Sequence, residues 1–524
     1  MTKNEYIPIT ETPYVSKLAK DYLLGKDIGI NNPFVKDYKG IFDKADSKHF
    51  SNENRNLLVE ALFNQYEKDG VVLDKDSNVY QNIQSLKKSN TFTFTTGQQI
   101  HIFLGPLFFI YKIQSLFRHV KNFNALNNGV KVVPVFWMAS EDHDLDEINF
   151  VKLYGEKYTW EEESGNAVGR LICKGLPELI DKIEARADKT EENKELFTLF
   201  RKHYSKEKTL AAATRSLLNE IFGEEGLLII DPDDKTFKQG FSEIAKKEIQ
   251  ENILFNSYND QNILLKKSGY EPRVNAQEIN FFWLENDNRV KLKVKNNKIV
   301  IGDSDEELSL DNIIKNIDKL SPNVITRPLY QETILPNILY LGGGAELEYW
   351  LPLQEAFKNL GLQYPALVQR DSVLYISKKN FDSFDKIGLK WWELFQEEKK
   401  LVAFYNNFLK DDSNNPDQII DSINLSIEQL SETLKIKEIK SGLIFKEISE
   451  MQKGLSRLSK QLFEEELKIK AKDPVFSRII KIKEKLFDKK QEREEFLVGS
   501  YLVLKHSTLE FEYLKPVINF YLIE

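Results

Sequence analysis

Ser140-Glu141-Asp142-His143-Asp144, with Asp146 and Glu147 close behind, gathers five acids and one histidine within residues 141–147. Converging carboxylates can hold Mg²⁺ or receive an ammonium group, and a histidine paired with a carboxylate can act as a base. His143, Asp142 and Asp144 are the candidate catalytic residues on this ground, and Glu141 is a candidate binding acid. Acids also favour a helix N-terminus, so a capping cluster over Asp144–Ile148 is the alternative.

Three further clusters offer binding groups. Thr96-Gly97-Gln98-Gln99 is followed by His101, Gly105, Pro106 and Lys112. Glycine lets backbone approach a ligand, and two glutamine amides supply donors and acceptors without charge. An ordinary strand-to-helix turn is the plainer alternative. Neither GxGxxG nor GxxxxGK[ST] occurs there, which excludes the two familiar phosphate loops at that point. Asn323, Arg327, Tyr330 and Gln331 lie in SPNVITRPLYQE, where the arginine could clamp a carboxylate or phosphate, or make a structural ion pair. Gly342-Gly343-Gly344-Ala345-Glu346 is either a bare loop whose amides face an anion or a tight turn. Cys173 is the only cysteine, so no intrachain disulfide or cysteine-cluster metal site can form, and its apolar context reads as a buried inert thiol. His49, His119, His203 and His506 carry no local pattern and read as structural or surface histidines.

The elements that must carry these clusters alternate. Thr91–Thr95 alternates like a strand, an apolar segment spans about Gly105 to Leu126, and Lys131–Met138 is a second strand. Strand, loop, helix and strand within about 50 residues make a βαβ unit, whose crossover implies parallel strands. Gly226–Pro232, Asn337–Leu341 and Tyr364–Val368 are further strands, while 151–173 and 276–303 alternate like antiparallel hairpins. The expectation is a doubly wound, Rossmann-like α/β core with inserted connecting segments, in which ligands bind beyond the carboxyl ends of the strands. The expected layout has a helical part over 1–90, the core over 91–372 with insertions at about 151–210 and 276–305, an arm over 373–500, and a tail over 501–524 that packs back on the core.

In the arm, Asp411–Pro416 reads as a breaker. Ile423, Ile427, Leu430 and Leu434 are spaced 4, 3, 4; after polar Lys437 and Ser441 in the same phase, Ile444, Ile448, Met451, Leu455, Leu458 and Leu462 continue the heptad. Such a seam predicts an α-helical coiled coil, stopped at Asp473-Pro474 and restarted by Val475, Ile479, Ile482 and Leu486. About 50 residues at ~1.5 Å each give ~75 Å, too long for one domain to cover. A partner chain is the natural cover, hence a homodimer; one long amphipathic helix on its own core is the alternative.

The chain has 524 residues, 41% hydrophobic and 29% charged, too apolar for disorder. Its 73 basic and 81 acidic residues give a net −8, which argues against nucleic acid or an anionic membrane as partner. With no apolar signal core and no run of about 18 apolar residues, a cytoplasmic protein is expected.

Taken in order, TGQQ…GPL, PVFWMASEDHDLDEIN, FGEEGLLIIDPDD, SPNVITRPLYQETILPN and YLGGGAELEYW resemble the characteristic segments of the BshC family, the cysteine ligases of bacillithiol biosynthesis. The match runs from about residue 91 to 372, with one departure at Leu104, where the family more usually has threonine before Gly-Pro. The resemblance implies a core similar to class I nucleotidyl transferases and a coiled-coil arm that mediates dimerisation. It also implies a reaction joining the carboxyl group of cysteine to the amine of glucosaminyl-malate, with ATP activating the carboxylate and Mg²⁺ as a candidate ion. The TGQQ and GGG loops would then hold the nucleotide and one substrate, His143 would be oriented by Asp142 or Asp144 to assist amine deprotonation, and Lys112 or Arg327 would bind phosphate or malate carboxylates. Two other readings stand beside it: a class I-type nucleotidyl or adenylyl transferase with another acceptor, and a non-catalytic nucleotide-binding scaffold with a dimerising arm.

Overall fold

Runs of β-branched and aromatic residues build the central sheet. Its strands are β1 (Thr91–Gln98), β2 (Lys131–Met138), β3 (Leu228–Ile230), β4 (Asn337–Gly342) and β5 (Ala366–Gln369). They pair in parallel in the order β5-β4-β1-β2-β3. The chain proceeds from β1 to β3 on one side and from β4 to β5 on the other, so the order reverses between β1 and β4. This is the doubly wound, Rossmann-like core that the sequence predicts. The computed structural model describes residues 5–12, 15–106, 108–126, 128–153, 156–163, 165–285, 288–304, 306–377, 382–383, 385–386, 388–409, 416–437, 441–487 and 517–523.

Helices α1 (Phe108–Ala125), α2 (Lys235–Glu251), α3 (Arg327–Ile334) and α4 (Gly344–Trp350) bear on the site. The threonines of β1 alternate with phenylalanine, yet neither face of the strand meets solvent. Their hydroxyls are used internally: Thr95 and Thr93 donate to Asn337 Oδ1 at 2.8 and 3.1 Å, and Thr96 donates to the Leu341 carbonyl at 2.7 Å. Buried hydroxyls need such partners, and here they tie β1 to β4 across the reversal. Pro134 falls inside β2, where a missing amide would ordinarily cost a ladder bond. β3 pairs only with Val135–Trp137, so one flank of Pro134 is unpaired in any case.

An antiparallel five-stranded sheet is inserted between β3 and β4: Phe281–Glu285, Asn288–Lys295, Lys298–Ile301, Glu307–Leu308 and Leu320–Pro322. The hairpin expected within 151–173 occupies Phe150–Leu153 and Glu156–Thr159, and Val168–Arg170 is instead a 3-10 turn.

Two compact units divide the described residues, one within 8–373 and 492–519, the other within 1–7, 374–491 and 520–524. Strand Val517–Ile523 lies between Glu5–Pro8 and Ser372–Ser377 in a three-stranded sheet. The rest of the tail at 501–516 and 524, and residues 411–415 of the expected breaker, lie outside the described residues. In the arm, the heptad seam does not run through one helix. Pro416–Ile436 ends before Gly442–Lys470 begins, and the two pack on each other. The interruption falls at the two polar seam positions, Lys437 and Ser441, where a continuous helix would gain no apolar contact. Ser441 takes an extended N-cap conformation, and Gly442 is a weak helix former by about 1 kcal/mol. Ile448 is buried, whereas Ile423, Leu430, Ile444, Met451 and Leu458 remain exposed. Helix Pro474–Phe487 starts at the expected stop, with Asp473 Oδ1 accepting the Val475 amide at 2.8 Å. Among the described residues, no helix is long and apolar enough to cross a membrane.

Candidate functional site

A cavity of about 600 Å³ opens at the carboxyl ends of β1, β2 and β4, where the strand order reverses. That volume suits a small organic ligand. Gly97, Gln98 and Gln99 line it from the end of β1, and Glu141, Asp142 and His143 from the loop after β2. Asn323 and Arg327 reach it from the start of α3, and Glu346 from α4. Segments more than 200 residues apart in sequence therefore converge as the strand-end rule requires.

The other expected site residues lie around this cavity without lining it. Thr96 is spent on the Leu341 carbonyl. Gly105 has φ +48, and an added Cβ would run into His101 with its Cγ at 2.7 Å, so it shapes the turn. Leu104 is buried and does not line the cavity. Burial pushes the His101 imidazole down to about 4, which keeps it neutral. Asp144 is exposed at the start of the single-turn helix Leu145–Ile148 and makes no side-chain cap bond.

Lys112 departs from its expected role as a ligand cation. Its side chain is 2% exposed, and the ammonium donates to the Gly97 carbonyl at 2.6 Å, Gln98 Oε1 at 3.3 Å, and Glu346. A lysine has three donors, and all three are engaged. Burial lowers the ammonium pKa against the pull of Glu346. The GGG loop likewise turns inward. The Gly343 amide donates to Glu346 Oε2 at 2.7 Å, so the protein's own carboxylate takes the place expected for a phosphate. Glu346 also accepts from the Tyr340 hydroxyl at 2.7 Å. Burial opposes its charge, but Lys112 and the Gly343 amide hold the carboxyl below its ordinary range. Lys112 and Glu346 thus lock the TGQQ and GGG loops together.

Asn323 holds the turn that leads into α3: its Oδ1 accepts the Ile325 and Thr326 amides at 3.0 Å each. Arg327 is set among Trp137, Tyr340 and Trp350, whose ring centroids lie 5.2–6.0 Å from its guanidinium carbon. It donates to Gln331 Oε1 at 2.9 Å and to the Tyr340 hydroxyl at 3.3 Å. Glu141 is buried on Lys238 at 2.7 Å, and Lys238 also reaches Asp233 at 3.2 Å. Burial pushes the Glu141 carboxyl up despite that partner.

The carboxylate orientation expected for His143 is absent. Asp142 Oδ1 lies 3.6 Å from Nδ1, beyond hydrogen-bond reach, and accepts the His143 backbone amide at 2.8 Å instead. The partner of Nδ1 is Arg289, at 2.9 Å from its NH1 nitrogen. Arg289 and Lys291 come from the inserted sheet and line the cavity. Their signal in the sequence is the alternation of NRVKLKVK, which places Arg289, Lys291 and Lys293 on one face of a strand. Gln99 Nε2 bridges Asp142 Oδ2 at 2.9 Å and Glu147 Oε2 at 2.7 Å. Burial works against the Asp142 charge, but His143, Gln99 and Arg289 outweigh it and hold the carboxyl well below the usual range. Cations of the insertion and α3 and acids of the β2 loop therefore line one space. A ligand bearing both an anionic and an ammonium group matches that polarity. Among the described residues, no group of three or more His, Cys, Asp or Glu is arranged to hold a metal ion.

A parallel sheet whose order reverses at a polar cavity, with an antiparallel sheet inserted before the returning strand, defines a Rossmann-like protein. A family profile described as "Bacillithiol biosynthesis BshC, N-terminal Rossmann-like domain" matches residues 2–371. A relative from Flavobacterium johnsoniae, named "Putative cysteine ligase BshC", is 37% identical over 398 residues, 74% of each chain. Relatives of the same name from Flavobacterium psychrophilum and Christiangramia forsetii are both 32% identical, over 92% and 93% of this chain and 91% and 92% of theirs. The chain belongs to the BshC family.

Proposed function

We propose that this protein is a cysteine-adding ligase of bacillithiol biosynthesis, joining the carboxyl group of cysteine to the amine of glucosaminyl-malate with ATP-dependent activation. Family membership and the name shared by its relatives support the reading. The observation that carries it is the mixed polarity of the cavity, where Arg289, Lys291 and Arg327 meet Asp142 and Glu147.

An amide does not form from a free carboxylate and an ammonium at neutral pH; the acid must be activated and the amine must lose a proton. Lys291 and Arg327 would bind carboxylate or phosphate oxygens, with Arg289 adding its positive charge behind them. Asp142 and Glu147, held by the Gln99 amide, would receive an ammonium group. Gly97 and Gln98, which line the cavity at the end of β1, would border the nucleotide. Mg²⁺, where it takes part, would be carried largely by the phosphates, since it is usually held by one or two carboxylates together with them. The acting form would be a cytoplasmic homodimer joined through the arm.

The test is reconstitution of the purified protein with cysteine, glucosaminyl-malate and ATP, with mass detection of the thiol product. Product that requires all three is the expected result, and AMP or ADP beside it tells an adenylate from an acyl phosphate. Nucleotide turnover with another acceptor would favour the transferase reading, and ATP binding without turnover the scaffold; either would defeat the ligase.

A further inference from the structure

Arg289 is nearly enclosed, with its side chain 7% exposed, and each of its three nitrogens has a partner. Nε donates to Ser321 Oγ at 3.0 Å, and one terminal nitrogen donates to the Pro322 carbonyl at 2.8 Å. The plane lies over the Phe282 ring with its carbon 3.9 Å from the centroid, and the His143 ring packs on the same phenylalanine at 5.4 Å. The other terminal nitrogen points at His143 Nδ1, 2.9 Å away. Arginine is a donor only and stays charged, so the Nδ1 it meets must present a lone pair. A proton on Nδ1 would set two donors head to head. The uncharged ring then carries its proton on Nε2, and Nε2–H is the ring group left for a ligand in the cavity that His143 lines.

We propose that Arg289 locks His143 as the Nε2–H tautomer, so that His143 donates a hydrogen bond to a carboxylate or phosphate oxygen of the bound ligand and does not take a proton from the amine. Arg289 is on this account a positioning residue, and His143 is the group that touches the ligand. The inference deepens the ligase reading and rests on it for the identity of that oxygen. The remaining charges around the ring are Asp142 and Glu147 from the β2 loop region, Glu141 behind them, and Lys291 two residues along the inserted strand. None displaces Arg289, since the nearest carboxylate oxygen stands at 3.6 Å.

Two measurements decide it. In protein labelled with ¹⁵N-histidine, only six histidines contribute, and the His143 signals are those lost in His143→Gln. The expected spectrum at neutral pH shows a protonated Nε2 and an unprotonated Nδ1 for His143, and mixed tautomers in Arg289→Met. A proton on Nδ1 in the unmodified protein overturns the inference, whether or not the ligase reaction is observed. In the product assay, His143→Ala should lose about 10–100-fold, the effect of removing one donor to a charged oxygen. His143→Gln, which restores an N–H near the Nε2 position, should recover at least about tenfold of that loss. A general base would instead leave both variants down by about 10²–10⁴-fold, and equal losses of that size would refute the donor role. If the unmodified protein makes no product, the ligase reading fails while the tautomer measurement still stands.

Discussion

Replacing Lys112 by methionine keeps the apolar stem and deletes the ammonium that joins the two loops at the reversal of the sheet. Lost with it are the bonds to the Gly97 carbonyl at 2.6 Å and Gln98 Oε1 at 3.3 Å, and the pair with Glu346. Breaking a buried pair by removing one partner costs about 3–5 kcal/mol, because the other charge loses its counterion. Glu346 retains the Tyr340 hydroxyl and the Gly343 amide, and its side chain is 23% exposed. The low end therefore applies, about 3 kcal/mol, or roughly a 150-fold shift in the folding equilibrium. The pH dependence has a definite sign. In the unmodified protein the Glu346 carboxyl is depressed, so its contribution is present above the ordinary carboxylate pKa and fades as pH falls. In Lys112→Met, burial is opposed only by the Gly343 amide and the Tyr340 hydroxyl, so that pKa rises and protonation relieves the variant. The gap between the two proteins should narrow as pH drops from about 7 to about 5. Denaturant melts of Lys112→Met, Glu346→Gln and the double variant at both pH values measure this. The double variant should lose less than the sum of the single ones by about 1–3 kcal/mol. A Lys112→Met loss under about 0.5 kcal/mol at pH 7, or strict additivity, would refute the reasoning.

Gly105→Ala should cost about 1–3 kcal/mol in the same melts, since φ is +48 and the new Cβ meets His101; a neutral result would show that the turn relaxes at no cost. Burial pushes the Cys173 thiol up to about 12, so the native protein should resist alkylation at pH 8 and Cys173→Ala should leave product formation unchanged. Rapid labelling of the folded protein would contradict the burial. Light scattering at micromolar concentration should show a dimer, converted to monomer by Met451→Asp together with Leu458→Asp, because both side chains are exposed on the single chain. A monomeric unmodified protein would defeat the dimer.

The strand-end clusters were legible because a buried parallel strand must be apolar until it leaves the sheet. Polar residues at its exit stand out, as in Trp137-Met138 followed by Glu141-Asp142-His143. What those residues do there was less legible. Lys112 and Gly343 have the right types for anion binding, yet the anion they hold is the protein's own Glu346. Residue type reports what a group can bind but not whether a neighbour in space has already bound it. Arg289 was passed over for the converse reason. It lies 146 residues beyond His143 in an insertion with its own alternation, and nothing local marks it as a partner. The arm shows the same limit, since a heptad phase survives across Lys437 and Ser441 in sequence although the helix does not.

By itself the sequence determined the class of fold and the family, because hydrophobic period, strand ends and the five characteristic segments are all local along the chain. Only the tertiary structure decided the order β5-β4-β1-β2-β3, the saturation of Lys112 and the pairing of Arg289 with His143. Each is a choice among partners far apart in the chain. It is settled by which donors and acceptors are left unpaired once the core has closed.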